Sequence, residues 1–277
     1  MHKTFDTPGP LALRLEIPSG EIEISAGPGT ETSLDLDALD DASARALDQV
    51  RVELRDTRDG HELVVEAKGR GGWGSFLNFG QTGYRLRVGC PEGARVAART
   101  RSADVTGHGR LGALDVQTAS GEVSFTEVDG DAVVKSASGD VELGTVAGRA
   151  SAHTASGGVE IGRAGGDVDV NNVSGEIVVR DAQGSVTVNS VSGDQRLQAV
   201  VEGIVKAQSV SGDVLIGVRR GSRVYLDCNT LSGETSSELE LTGEAGDEGP
   251  LVELRAKTVS GDITVVRAAA IPEEVRS

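Results

Sequence analysis

Several things are scarce in this chain of 277 residues, and each scarcity removes a class of protein. Cysteine occurs twice, at Cys90 and Cys228, far apart in sequence, so a disulfide framework is not expected and a reduced pair is the simpler reading. Basic residues are outnumbered: 27 Lys and Arg stand against 43 Asp and Glu, for a net charge of −16. With no local Lys/Arg cluster, nucleic acid and anionic membrane surfaces are unfavourable partners. No apolar run approaches the roughly 18 residues of a membrane span, and the opening Met1 to Pro8 has no apolar stretch resembling a signal peptide. A cytoplasmic location is expected on that basis. The four histidines (His2, His61, His108, His153) share no ligand spacing, and no catalytic, cofactor or metal constellation stands out. Aromatics make up only 3%. A core without them is filled by Val, Ile, Leu and Ala in thin layers.

What the chain has instead is glycine, 38 residues of it, and a repeat. Serines recur every 18 residues at Ser102, Ser120, Ser138, Ser156, Ser174 and Ser192, then with longer spacers at Ser211, Ser232 and Ser260. Glycine follows eight of these nine serines, and an acid comes next in eight (Asp104, Glu122, Asp140, Glu176, Asp194, Asp213, Glu234, Asp262). The flanks alternate apolar and polar, as in Val123/Phe125, Val141/Leu143, Val168/Val170 and Val186/Val188. A second glycine (Gly112, Gly130, Gly148, Gly166, Gly184, Gly203) lies eight before six of the serines and marks an opposite corner. Half-turns of nine residues are too short for a crossover helix. The pattern therefore predicts an all-β, single-stranded parallel β-helix, a β-solenoid of 18-residue rungs stacked about 4.8 Å apart. Parallel crossovers are almost always right-handed, which favours a right-handed coil. A hexapeptide helix fails because Val141 leads to Ala147 and then His153, not an aliphatic ladder. A calcium β-roll fails for want of the Gly-Gly-x-Gly-x-Asp loop.

Two residues before each serine sits a small polar side chain (Thr100, Thr118, Ser136, Thr154, Asn172, Ser190, Ser209, Thr230, Thr258) that alternation points inward. It is expected to bond rung to rung or to cap the corner backbone. The corner acids read as solvated turn residues, with a weak cation site as the alternative; one carboxylate per rung falls short of the 6–8 oxygens calcium takes.

Leu13, Leu15, Ile22 and Ile24 flank Ser19 as in a standard rung, so residues 1–36 are read as the N-terminal segment with the first rung. Residues 37–93 interrupt the repeat with a short helix, strands at Val50–Leu54, Glu62–Ala67 and Tyr84–Val88, and a Gly-rich aromatic loop. This insertion is expected to cap the N-terminal end. Regular rungs follow over 94–267, the last of them Leu251–Val266, and 268–277 is a tail. The loop and its flank hold four of the seven aromatics, Trp73, Phe76, Phe79 and Tyr84, which are the candidate partner-binding residues. The loop reads equally as a hydrophobic plug.

The chain resembles the bacterial β-strand-repeat proteins of unknown function known as adhesin-like β-solenoids. The resemblance rests on Phe5-Asp6-Thr7-Pro8-Gly9-Pro10-Leu11, on Ser19-Gly20-Glu21-Ile22-Glu23-Ile24, and on the serial Ser-Gly-Asp/Glu-Val corners. It implies a solenoid with no established enzyme activity and no known catalytic residues to carry over. Together these readings lead to a non-enzymatic scaffold or interaction protein, binding a protein partner or its own copies. A glycan-acting β-helix enzyme and a polymer joined end to end through Leu251–Val266 are the alternatives.

Overall fold

A computed structural model describes residues 1–67, 82–239 and 249–268. The chain divides into two compact units, Met1–Gly148 and Arg149–Ser277, and each is parallel β-solenoid.

Unit 1 contains β1 (His2–Asp6), β2 (Leu11–Gly27), β3 (Glu31–Ala38), a short helix α1 (Asp41–Ala46), β4 (Val50–Thr57), β5 (Gly60–Ala67), β6 (Tyr84–Pro91), β7 (Arg95–Leu111), β8 (Leu114–Thr118), β9 (Val123–Val128), β10 (Ala132–Ser138) and β11 (Val141–Val146). The 18-residue step is literal in its regular part: Leu114 pairs with Ala132, Val116 with Val134, Val123 with Val141 and Phe125 with Leu143. Like side chains stack in columns, and those pointing inward are buried from end to end. Asp40 starts α1 by accepting from Ala42 N and Ser43 N, while Ser43 Oγ accepts from Asp40 N. This reciprocal cap stabilises a helix too short to stand on propensity.

The rungs of unit 1 do not stack in chain order. The first half of β2 pairs with β5 on one side and β7 on the other, and its second half lies between β6 and β7. The rung flanking Ser19, expected to be first, is therefore second, and β5–β6 is the outermost. The strands Gly60–Ala67 and Tyr84–Pro91, read from sequence as part of a cap, are solenoid themselves. The covering is done by antiparallel strands: β4 along β5, β3 along β6, and β1 along β3.

Unit 2 contains β12 (Ala150–Ser156), β13 (Val159–Ala164), β14 (Val168–Ser174), β15 (Ile177–Ala182), β16 (Val186–Ser192), β17 (Gln195–Val200), β18 (Gly203–Gln208), β19 (Val214–Val218), β20 (Arg223–Ser232), β21 (Thr235–Ser237), β22 (Leu251–Ser260) and β23 (Ile263–Arg267). Its regular rungs are again in register, Val168 with Val186 and Ile177 with Gln195. Beyond them the order changes. β18 and β19 pair with β22 and β23, and only then do β20 and β21 follow. The rung at Leu251–Arg267 is thus enclosed between two others, and the expected terminal position belongs to Arg223–Ser237.

Candidate functional site

The corners come first, because they set what the surface can present. Seven corner glycines, including Gly193 and Gly212, hold φ between +116° and +148°, a region closed to residues with a Cβ. The corner in β7 reads Ser102-Ala103-Asp104, and among the described residues none other than glycine has a positive φ. There the strand runs through the bend unbroken.

The acid after the glycine has a specific task. Asp104 Oδ1 accepts from Glu122 N at 2.9 Å, Asp194 from Asp213 N at 3.0 Å, Asp213 from Asp262 N at 2.9 Å, and Asp262 from Glu234 N at 2.8 Å. Each aspartate therefore binds the backbone of the next rung in space, and the series follows the altered stacking order. The acceptor in each of these four bonds is an aspartate; Glu176, one methylene longer, reaches out to Arg196 instead. These acids are exposed at the turns, as expected, and the aspartates among them also bind the neighbouring rung. Among the described residues no cluster of His, Cys, Asp or Glu could hold a metal. Asp213→Ala removes a charged acceptor from an amide at the rung edge, and a loss of about 1–2 kcal/mol is expected in urea denaturation. Asp213→Asn keeps an acceptor and is expected to recover part of it.

The inward polar column mostly caps its own corner. Thr100 Oγ1 and Thr118 Oγ1 accept from Ala103 N and Gly121 N, and Thr154 Oγ1 donates to Ser156 O. Asn172 spans two rungs, donating to both Gly157 O and Gly175 O at 3.1 Å, and Thr230 Oγ1 donates across to Gly261 O at 3.0 Å.

Of the aromatic candidates, Trp73, Phe76 and Phe79 lie outside the described residues. Tyr84 opens β6 and is 3% exposed, so it is a core residue and not a surface contact. Both cysteines are free thiols. Burial pushes the Cys90 thiol up to about 11 and also raises Cys228, which leaves neither as a ready nucleophile.

Two surfaces remain. On unit 1, a depression of about 460 Å³ lies on the outer face where β2, β7, β8 and β10 run side by side. Ala12, Ala97 and Ala113 make its floor, and charged side chains of both signs rim it. The carboxylates there are engaged: Glu16 meets Arg14 at 2.9 Å and Arg99 at 3.8 Å, and Glu62 meets Arg55 at 3.5 Å. The Glu16 hydrogen bond also holds Arg14 more firmly protonated than a free arginine. A glycosidase needs one carboxylic acid and one carboxylate free to face a sugar; here Glu16 and Glu62 are partners of arginines, and Asp115 accepts from Gln117 Nε2 at 3.4 Å.

On unit 2, where Ala155 precedes Ser156, the position immediately before each of the other five corner serines carries a bulky aliphatic: Val173, Val191, Val210, Val259 and Leu231, each between 46% and 80% exposed. The register brings them together. Ser174 pairs with Ser192, Ser192 with Ser211, Ser211 with Ser260, and Ser260 with Ser232, so the five form one ridge. Four steps of about 4.8 Å make it roughly 20 Å long. A rigid flank supports it, since Asn189 donates to Asn171 at 2.9 Å and Asn171 Nδ2 lies 3.2 Å from His153 Nδ1. The same position in unit 1 carries Arg101, Ala119 and Ala137. Sequence reasoning missed this ridge, though its signal was present: an aliphatic out of phase with the inward alternation at five successive corners.

No curated protein matches this sequence. Solved structures align over nearly its whole length at low identity. A proposed lipid binding protein from Parabacteroides distasonis ATCC 8503 is 14% identical over 96% of each chain, with a TM-score of 0.49. A proposed adhesin from the same organism is 12% identical over 95% of this chain and 96% of its own, with a TM-score of 0.45. A proposed adhesin from Bacteroides fragilis NCTC 9343 is 14% identical over 96% of each chain, with a TM-score of 0.37. The Toastrack DUF4097 family model matches residues 12–266, from the second residue of β2 into β23, and the chain belongs to that family.

Proposed function

We propose that this is a non-enzymatic, adhesin-like interaction protein that uses its solenoid as a rigid frame for contact surfaces. The aliphatic ridge of unit 2 carries the reading. Five exposed branched side chains in one line cost solubility and add nothing to the core, which is the mark of a surface kept for contact. The occupant it suits is a protein with an extended apolar edge, because a straight ridge with a repeat of about 4.8 Å matches the rise between strands. The engaged carboxylates of the unit 1 depression weigh against the glycan-acting alternative. A partner contact by Trp73, Phe76 and Phe79 belongs to the same proposal as a second surface.

The test is affinity capture from the native host with wild type, Val191→Lys/Val210→Lys, and Trp73→Ala/Phe76→Ala/Phe79→Ala. Both ridge positions are about half exposed, so the lysine variant should melt close to wild type, within about 0.5 kcal/mol. A protein held by wild type and lost from the lysine variant alone assigns the ridge. Loss from the aromatic variant alone assigns the loop. If every captured protein survives both sets of substitutions, neither surface is the contact.

A further inference from the structure

The altered rung order leaves β20 at the end of the unit 2 stack, and that end is unfinished. Val224, Leu226 and Cys228 occupy the inward positions that Val252, Leu254 and Ala256 hold one rung below. Those three are 0% exposed, whereas Leu226 is 37% exposed and Val224 and Cys228 are half-buried. Outward-facing Tyr225 is 61% exposed. The second edge of β20 pairs with nothing among the described residues, and no proline, lysine or bulge blunts it. The outer rung of unit 1 is treated differently, being lined by antiparallel β3 and β4.

The sequence of this edge indicates its occupant. Arg223-Val224-Tyr225-Leu226-Asp227 is self-complementary when laid antiparallel on itself. With the twofold axis at Tyr225, Arg223 stands opposite the second copy's Asp227, Val224 opposite Leu226, and Tyr225 opposite its own counterpart. Opposed residues in an antiparallel pair share a face. The apolar pairs therefore extend the core while the ion pairs and tyrosines stay outside. Among the described residues Asp227 has no ion pair, and Arg223 donates through Nε to Gly249 O at 3.1 Å. Both charged groups are available.

We propose that two copies associate through antiparallel pairing of β20 about Tyr225. The contact is isologous, so it closes at two copies and does not propagate into a filament. This differs from polymerisation through Leu251–Val266, since that rung is enclosed on both sides. The inference stands independently of the ridge: Val191→Lys/Val210→Lys should leave it unaffected.

Sedimentation velocity over a wide concentration range is the test, with circular dichroism to confirm that each variant is folded. Wild type should form a dimer and nothing larger, more tightly at low salt. Asp227→Arg sets arginine against arginine twice and should weaken the dimer by about tenfold or more. The double variant Arg223→Asp/Asp227→Arg exchanges the signs and should restore it. A folded wild type that is monomeric at every concentration overturns the proposal. So does a dimer indifferent to Asp227→Arg, or one that the double exchange does not recover.

Discussion

Gly193→Ala is expected to destabilise the protein by about 3 kcal/mol or more, from two costs that add at one atom. Gly193 has φ +128°, where a Cβ carries a strain of about 1–3 kcal/mol. That Cβ would also lie 2.2 Å from the carbonyl oxygen of Gly175 and 2.7 Å from its carbonyl carbon. The obstacle is backbone on the neighbouring rung, so no side-chain rotation relieves it. Urea denaturation followed by far-ultraviolet circular dichroism measures the loss. A change below about 1 kcal/mol would mean that the stack relaxes at the corner. The same collision awaits Gly175, Gly212, Gly233 and Gly261, each with a glycine carbonyl oxygen 2.2–2.3 Å from the added Cβ. The corner glycine is thus required by the stack as well as by the turn.

Phe125→Ala should cost about 3–5 kcal/mol, the range for emptying a buried aromatic site. Phe125 is 1% exposed and the bulkiest fully buried side chain described. It fits because its register partner across the rung is Gly107, where a Cβ would come within 2.2 Å of Cδ1 and 2.3 Å of Cε1 of the ring. Gly107→Ala alone should therefore cost about 1–3 kcal/mol by overpacking. With Phe125→Leu the crowding is relieved, so the double variant should be more stable than the two single losses predict. A coupling of about 0.5–3 kcal/mol is expected from the cycle. Additive losses would show that the ring is held by other neighbours.

These two sites illustrate how far the sequence could be read. The 18-residue period, the corner tripeptide and the inward aliphatics state the solenoid openly, because parallel in-register stacking turns sequence separation directly into neighbourhood. The same rule misled at the ends. Ser211, Ser232 and Ser260 follow one another in sequence as successive rungs would, yet Ser211 pairs with Ser260. A clue lay in the second half of the outlying rung: Thr235 and Ser237 stand where Ile263 and Val265 stand next to them. Polar residues at inward positions belong where the core stops. The aspartate bonds were hidden for a different reason, since a carboxylate at a turn looks soluble until the amide one rung away is located. Tyr84 was grouped with a loop by sequence proximity, when its place in β6 buries it. The ridge is harder to read because the residue before each serine lies outside the inward alternation, and only the register shows that these residues line up.

The crossed rung order also bears on how the protein comes apart. In an ordinary solenoid, tension on a terminus peels the last coil, which has one neighbour, and then the next. Here the rung nearest the C-terminus, Leu251–Arg267, is bonded on both sides. Force applied there must break two ladders together. During synthesis the converse holds: Arg223–Ser237 leaves the ribosome first but has no partner until Leu251–Arg267 arrives beneath it. The rung Leu251–Arg267 acts as a bolt, slid in beneath a strand that precedes it in the chain.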